Sequence, residues 1–102
     1  MILVQIFLPL YNNNGEKFDM SLLRQTREEI LEAYNGITTY TRSPARGLWK
    51  DEEDHTIKDD IVIYEVLTES FDKKWWEEYK EKLIKRFQQE ELLIRGFSVI
   101  TV

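Results

Sequence analysis

A chain of 102 residues with 42% hydrophobic and 32% charged residues fits one small globular domain, and this composition excludes a disordered chain. The sequence contains no cysteine, which excludes a disulfide framework, a thiolate metal site and a cysteine nucleophile. Its formal net charge of −5 repels phosphate backbones, so nucleic acid is not an expected partner.

The opening segment MILVQIFLPL is apolar, but it lacks the basic region and the small-residue cleavage site of a secretory signal. No apolar run approaches the length of a membrane span. We therefore expect a cytoplasmic protein that does not bind a membrane.

The first half of the chain predicts a strand, a helix and a second strand. Residues 2–10 are rich in β-branched and aromatic residues and too short for a globular helix, so they predict a strand. Residues 18–36 predict a helix with Asp19 as its N-cap and apolar residues at helical spacing. The partly polar segment ITTYTR, residues 37–42, is typical of an edge strand.

Within the segment RSPARGLWKDEEDHTIKDD, residues 42–60, the part from 50 to 60 carries most of the net negative charge of the chain. It connects two predicted neighbouring strands, and such a connection is normally only a few residues long. We therefore predict a hairpin-like insertion at about 43–59 with an acidic, solvated tip. Gly47 and Trp49 are expected at the base of this hairpin, against the core or a partner subunit. His55, the only histidine, is expected to be exposed at the tip.

The second half predicts another strand, helix and strand, at residues 60–69, 70–89 and 92–102. Asp72 is the expected N-cap of the helix. A break in the alternation of the last strand predicts a β-bulge at Gly96. The side chains expected to form the core face of this helix are Trp76, Tyr79, Leu83 and Phe87. Trp75 borders that face, so the two tryptophans are expected to pack in the core and not on a ligand.

The element order β-α-β-β-α-β, with FDMSLL at 18–23 repeated as FDKKWW at 71–76, predicts one ferredoxin-like domain over residues 1–102. The expected fold is an α+β sandwich with a four-stranded antiparallel sheet in the order 4-1-3-2 and two helices on one face. Strands one and three are apolar on both faces, which indicates that a second layer covers the face away from the helices. A second copy of the chain is the expected cover, so we predict a homodimer.

Four polar residues form the candidate site. In the predicted strand order, Arg95, Gln5, Glu65 and Tyr40 make a row on the face away from the helices. The first interpretation is a ligand-binding site between two sheets, because a few convergent polar groups in an apolar surround are typical of small-molecule sites. The second interpretation is a Glu–Arg pair that fixes the register of the dimer without any ligand.

The segment GLWKD, with Gly47 and Trp49, precedes a predicted strand, and YKEKLIKRFQQEELLI contains Tyr79, Phe87, Gln89 and Glu90. Residues 47–94 thereby resemble a family of small bacterial proteins of unknown function. Its members carry a Gly-x-Trp segment before a central strand and an aromatic-x-Gln-Glu element that enters the last strand. The resemblance implies a ferredoxin-like α+β fold and places Gly47 and Trp49 in the fold's signature. It implies no activity and no catalytic residue.

The expected function is that of a small-molecule-binding or protein-interaction module, without a metal or another cofactor. The alternative is an enzyme of the dimeric α+β barrel type, similar to a monooxygenase or an isomerase. Such an enzyme would use a cavity between helices and sheet or between two sheets, with Glu65, Tyr40 and Arg95 as its first candidates. His55 would be a haem ligand only if its loop folded inward.

Overall fold

The computed structural model describes residues 1–34 and 61–102 with their side chains and residues 38–42 as backbone. The predicted insertion at about 43–59, with Gly47, Trp49 and His55, lies outside the described residues. The elements in chain order are β1 (Ile2–Pro9), α1 (Met20–Ala33), β2 (Thr38–Arg42), β3 (Ile61–Thr68), α2 (Lys73–Arg86) and β4 (Ile94–Ser98).

Both helices begin at the predicted caps. The Asp19 carboxylate accepts a hydrogen bond of 2.9 Å from the backbone N–H of Ser21, and the Asp72 carboxylate accepts one of 3.1 Å from Trp75. Each bond satisfies an N–H group that has no partner inside its helix. The local signal of an acidic residue before an apolar stripe therefore located both helix starts.

The sheet is antiparallel, with β1 between β3 and β4. In the part of the sheet whose side chains are described, the strand order is β3-β1-β4. Only the backbone of the short, partly polar β2 is described. It pairs with β3 on the side away from β1. We predicted a ferredoxin-like sandwich, with two helices on a four-stranded sheet in the order 4-1-3-2. This prediction is corrected: the sheet that packs with the two helices is antiparallel and three-stranded. The broader α+β class agrees with the structure.

The core lies between the two helices and one face of β1 and β3. On the helix-facing side the even-numbered residues of both strands are buried: Val4, Ile6, Leu8, Val62, Tyr64 and Val66. The helices contribute the predicted stripes, in which Leu23, Ile30, Trp76, Tyr79, Leu83 and Phe87 are buried. Strand alternation and helical spacing therefore predicted the core correctly.

Gly96 does not form the predicted bulge. The pairing of β4 with β1 runs without a skipped residue from Ile2 opposite Ser98 to Ile6 opposite Ile94. A Cβ atom at Gly96 would lie 3.1 Å from Cγ2 of Ile2 and 3.5 Å from the Phe71 ring. The glycine therefore leaves room for Ile2 and Phe71, and this close packing explains the break in the sequence pattern.

Candidate functional site on the outer face of the sheet

The face of the sheet away from the helices, called the outer face below, presents the odd-numbered residues of β1, β3 and β4. Strand alternation and the paired registers place ten described side chains on it. They are Leu3, Gln5, Phe7, Pro9, Ile61, Ile63, Glu65, Leu67, Arg95 and Phe97.

A hydrogen-bonded row crosses the middle of the outer face. Gln5 on β1 lies opposite Glu65 on β3 and opposite Arg95 on β4. Its Nε2 donates to Oε2 of Glu65 at 2.7 Å, and its Oε1 accepts from Nε of Arg95 at 2.9 Å. Both ends of the Gln5 amide are thus engaged, and the amide is held in one orientation between an anion and a cation.

Arg95 has a second contact on the same face. Its guanidinium carbon lies 5.1 Å from the centre of the Phe7 ring, within the range of a cation–π interaction. This contact and the bond to Gln5 lay the side chain along the sheet. The terminal nitrogens of Arg95 have no hydrogen-bond partner in the part of the chain that the structure describes. The guanidinium is therefore positioned and still able to donate to another molecule.

The apolar part of the outer face is unevenly exposed. Ile63 is fully buried and Phe7 is half-buried, whereas Leu67 and Phe97 expose 46% and 44% of their surface. Leu67 and Phe97 lie on either side of Leu3 and complete a second row next to the polar one. Two adjacent rows, one apolar and one polar, therefore form the accessible part of the outer face.

The structure brings together three of the four residues predicted for the site. The backbone register of β2 places Tyr40 opposite Ile63 and Thr38 opposite Glu65. Tyr40 is therefore two positions away from the place in the row that was predicted for it. A predicted strand order does not specify the register, which the connection to β3 also determines. Gly47 and Trp49 lie outside the described residues.

A second polar cluster, between the helices, was not predicted. Arg86 on α2 donates to both carboxylate oxygens of Glu29 on α1 at 2.7 and 2.9 Å, and to Oγ1 of Thr26 at 2.8 Å. The Tyr79 hydroxyl lies 3.0 Å from Glu29 and 3.2 Å from the Thr26 carbonyl. Lys82 approaches Glu29 at 3.2 Å from the solvent side. This cluster joins α1 to α2.

The charges in the interhelical cluster stabilise each other. The two hydrogen bonds from Arg86 lower the pKa of the Glu29 carboxyl from 4.5 to about 2, against the opposite effect of partial burial. Burial raises the pKa of the Tyr79 hydroxyl above its usual value, and the Glu29 carboxylate adds to that effect. Glu29 is thus ionised and Tyr79 protonated at neutral pH, which suits a structural connection between helices.

A groove of about 440 Å³ opens beside the interhelical cluster. Its walls include the stacked rings of Trp75 and Tyr79, whose centres are 4.8 Å apart. Trp76 is buried and Trp75 packs edge-on against Tyr34, so the expected packing of both tryptophans among core aromatics is confirmed. Charged side chains complete the lining, namely Glu29, Glu32, Glu78 and Lys82.

Across residues 1–34 and 61–102, no group of three or more histidine or acidic side chains is arranged to hold a metal ion. In the same part of the chain, neither helix has the length and apolar character needed to cross a membrane.

No family model, curated protein or solved structure compared with the chain matches it. The resemblance of residues 47–94 to a family of small bacterial proteins of unknown function therefore stays a prediction.

Proposed function

We propose that this chain is a protein-interaction module that self-associates through its outer face. The observation that carries the proposal is the pair of adjacent rows on β3, β1 and β4. Leu67, Leu3 and Phe97 offer apolar surface, and Glu65, Gln5 and Arg95 offer a fixed arrangement of charge beside it. Buried apolar surface supplies most of the affinity of a protein interface, and aligned charges supply its specificity.

The polar row supports an interaction surface better than a small-molecule site. Gln5 is 9% exposed and is bonded at both ends of its amide by neighbours in the same chain, so it is poorly accessible to a ligand. The exposed residues beside the row are large and apolar, as is typical of a surface that a protein covers. The predicted homodimer and the expected cytoplasmic location belong to this proposal.

Size-exclusion chromatography with light scattering tests this proposal. The parent chain of 12.3 kDa is expected to elute with a mass that rises toward that of two copies as its concentration increases. Phe97→Asp and Leu67→Asp are expected to remain monomeric, because each places a charge within the apolar row. Leu31→Asp is the matched control, since Leu31 is 41% exposed on α1 and should leave the dimer intact. A parent that stays monomeric at every concentration contradicts the proposal.

A further inference from the structure

We infer that two copies of this chain pack face to face about a two-fold axis that runs along β1, so that Arg95 of each copy meets the partner's Glu65. The inference rests on the proposed self-association and adds its symmetry and its specificity-determining charges. It depends on the way in which the two charges are distributed over the outer face.

The polar row is charged oppositely at its two ends. Glu65 on β3 and Arg95 on β4 lie on opposite sides of Gln5 on β1. Adjacent strands are about 4.8 Å apart, so the backbones that carry the two charges are roughly 10 Å apart. The row therefore has a negative end, a neutral amide in the middle and a positive end.

Symmetry then limits how two such rows can face each other. Two identical faces that pack together need a two-fold axis in the plane between the sheets. An axis along β1 exchanges the two sides of the sheet, so β3 of each copy lies over β4 of the other and each Arg95 faces a Glu65. An axis across the strands, through the row, would instead place Glu65 over Glu65 and Arg95 over Arg95. Like charges that face each other weaken an interface, so the charges favour the axis along β1.

The apolar row satisfies the same symmetry. An axis along β1 preserves positions along the strand, so the row of Leu67, Leu3 and Phe97 lies over the same row of the partner. Each Phe97 then faces a Leu67, and Leu3 faces Leu3. Packed sheets are about 10 Å apart. Arg95 lies along its sheet, and its terminal nitrogens, which have no partner among the described residues, can donate across this gap to the partner's Glu65. With the axis along β1, the polar row and the apolar row therefore both match the same rows of the partner.

Charge reversal tests the inference. Sedimentation velocity is measured for Glu65→Arg, for Arg95→Glu, for an equimolar mixture of the two and for the double variant. Each single variant is expected to dimerise at least about tenfold more weakly than the parent, because both intermolecular pairs become repulsive. The mixture is expected to form a heterodimer, and the double variant a homodimer, because both combinations restore opposite charges. Glu81→Arg on the exposed side of α2 makes the same charge change away from the sheet and is expected to dimerise like the parent.

The possible outcomes separate this inference from the proposed function. Single variants that dimerise like the parent, or a mixture of folded variants that does not pair, would overturn the axis along β1 and leave self-association intact. A monomeric parent would overturn both. Far-UV circular dichroism reports whether each variant folds. If a single variant does not fold, the double variant carries the test, and its failure to dimerise when folded would also overturn the inference.

Discussion

Arg86 on α2 binds Glu29 on α1 through two parallel hydrogen bonds of 2.7 and 2.9 Å, although 57 residues separate the two in the sequence. The arginine side chain is 8% exposed and the glutamate side chain 24%. A bidentate pair with this much burial has a fixed geometry and is weakly screened by salt. It belongs to the group of polar contacts that hold the two helices together.

Replacement of Arg86 by alanine is expected to destabilise the protein by about 2–3 kcal/mol, because Glu29 is left ionised and partly buried without its main partner. Urea denaturation followed by circular dichroism measures this change. Lys82→Ala is the matched control, since Lys82 contacts the same carboxylate from a side chain that is 57% exposed. It should cost less than about 1 kcal/mol. Equal losses in the two variants would contradict a specific role for Arg86.

The lowered pKa of Glu29 predicts that stability falls in acid. Because the folded-state pKa of about 2 is below the ordinary value of 4.5, the unfolded chain takes up the proton first as the pH falls. The stabilisation is fully present above pH 4.5 and is lost as the pH falls from 4.5 through about 2. Its total is at most on the order of 3 kcal/mol, because solvent screens part of the interaction. Urea denaturation of the parent and of Glu29→Gln between pH 2.5 and 6 measures it, and parallel pH profiles for the two proteins would contradict the assignment.

The contact between Gly96 and Ile2 predicts a coupled effect of two substitutions. Gly96→Ala is expected to lower stability in the parent, because the new methyl group meets Cγ2 of Ile2 at 3.1 Å. In an Ile2→Ala background the same substitution is expected to raise stability by about 0.5–1 kcal/mol, because alanine restricts the unfolded chain more than glycine does. A double-mutant cycle by thermal denaturation measures the coupling. Additive effects would show that the close approach of Ile2 is not what requires glycine.

Local signals predicted the parts of this fold that depend on neighbours in the sequence. Asp19 and Asp72 were identified as caps because an acidic residue stands immediately before each helical stripe. Gln5, Glu65 and Arg95 were placed in one row because they interrupt otherwise apolar strands, and strand alternation then puts them on the same face. The structure shows the hydrogen bonds that join them.

Features that depend on distant residues were not predicted. Glu29 and Arg86 each look like an ordinary solvated residue on an amphipathic helix, and their pairing follows only from how α1 packs against α2. Tyr40 was assigned to the polar row because the strand order was considered without the register of β2. The predicted bulge at Gly96 was wrong because a glycine that makes room for Ile2 and Phe71 breaks the alternation in the same way as a bulge.

Isotope-filtered nuclear Overhauser spectroscopy shows whether the outer face binds a second copy about an axis along β1. Labelled and unlabelled chains are mixed, so that only contacts between copies give signals. We expect intermolecular signals between the Phe97 ring and the Leu67 methyl groups, and between the Leu3 methyl groups of the two copies. Intermolecular signals confined to helical residues such as Leu31, or none at concentrations where the parent is dimeric, would contradict this arrangement.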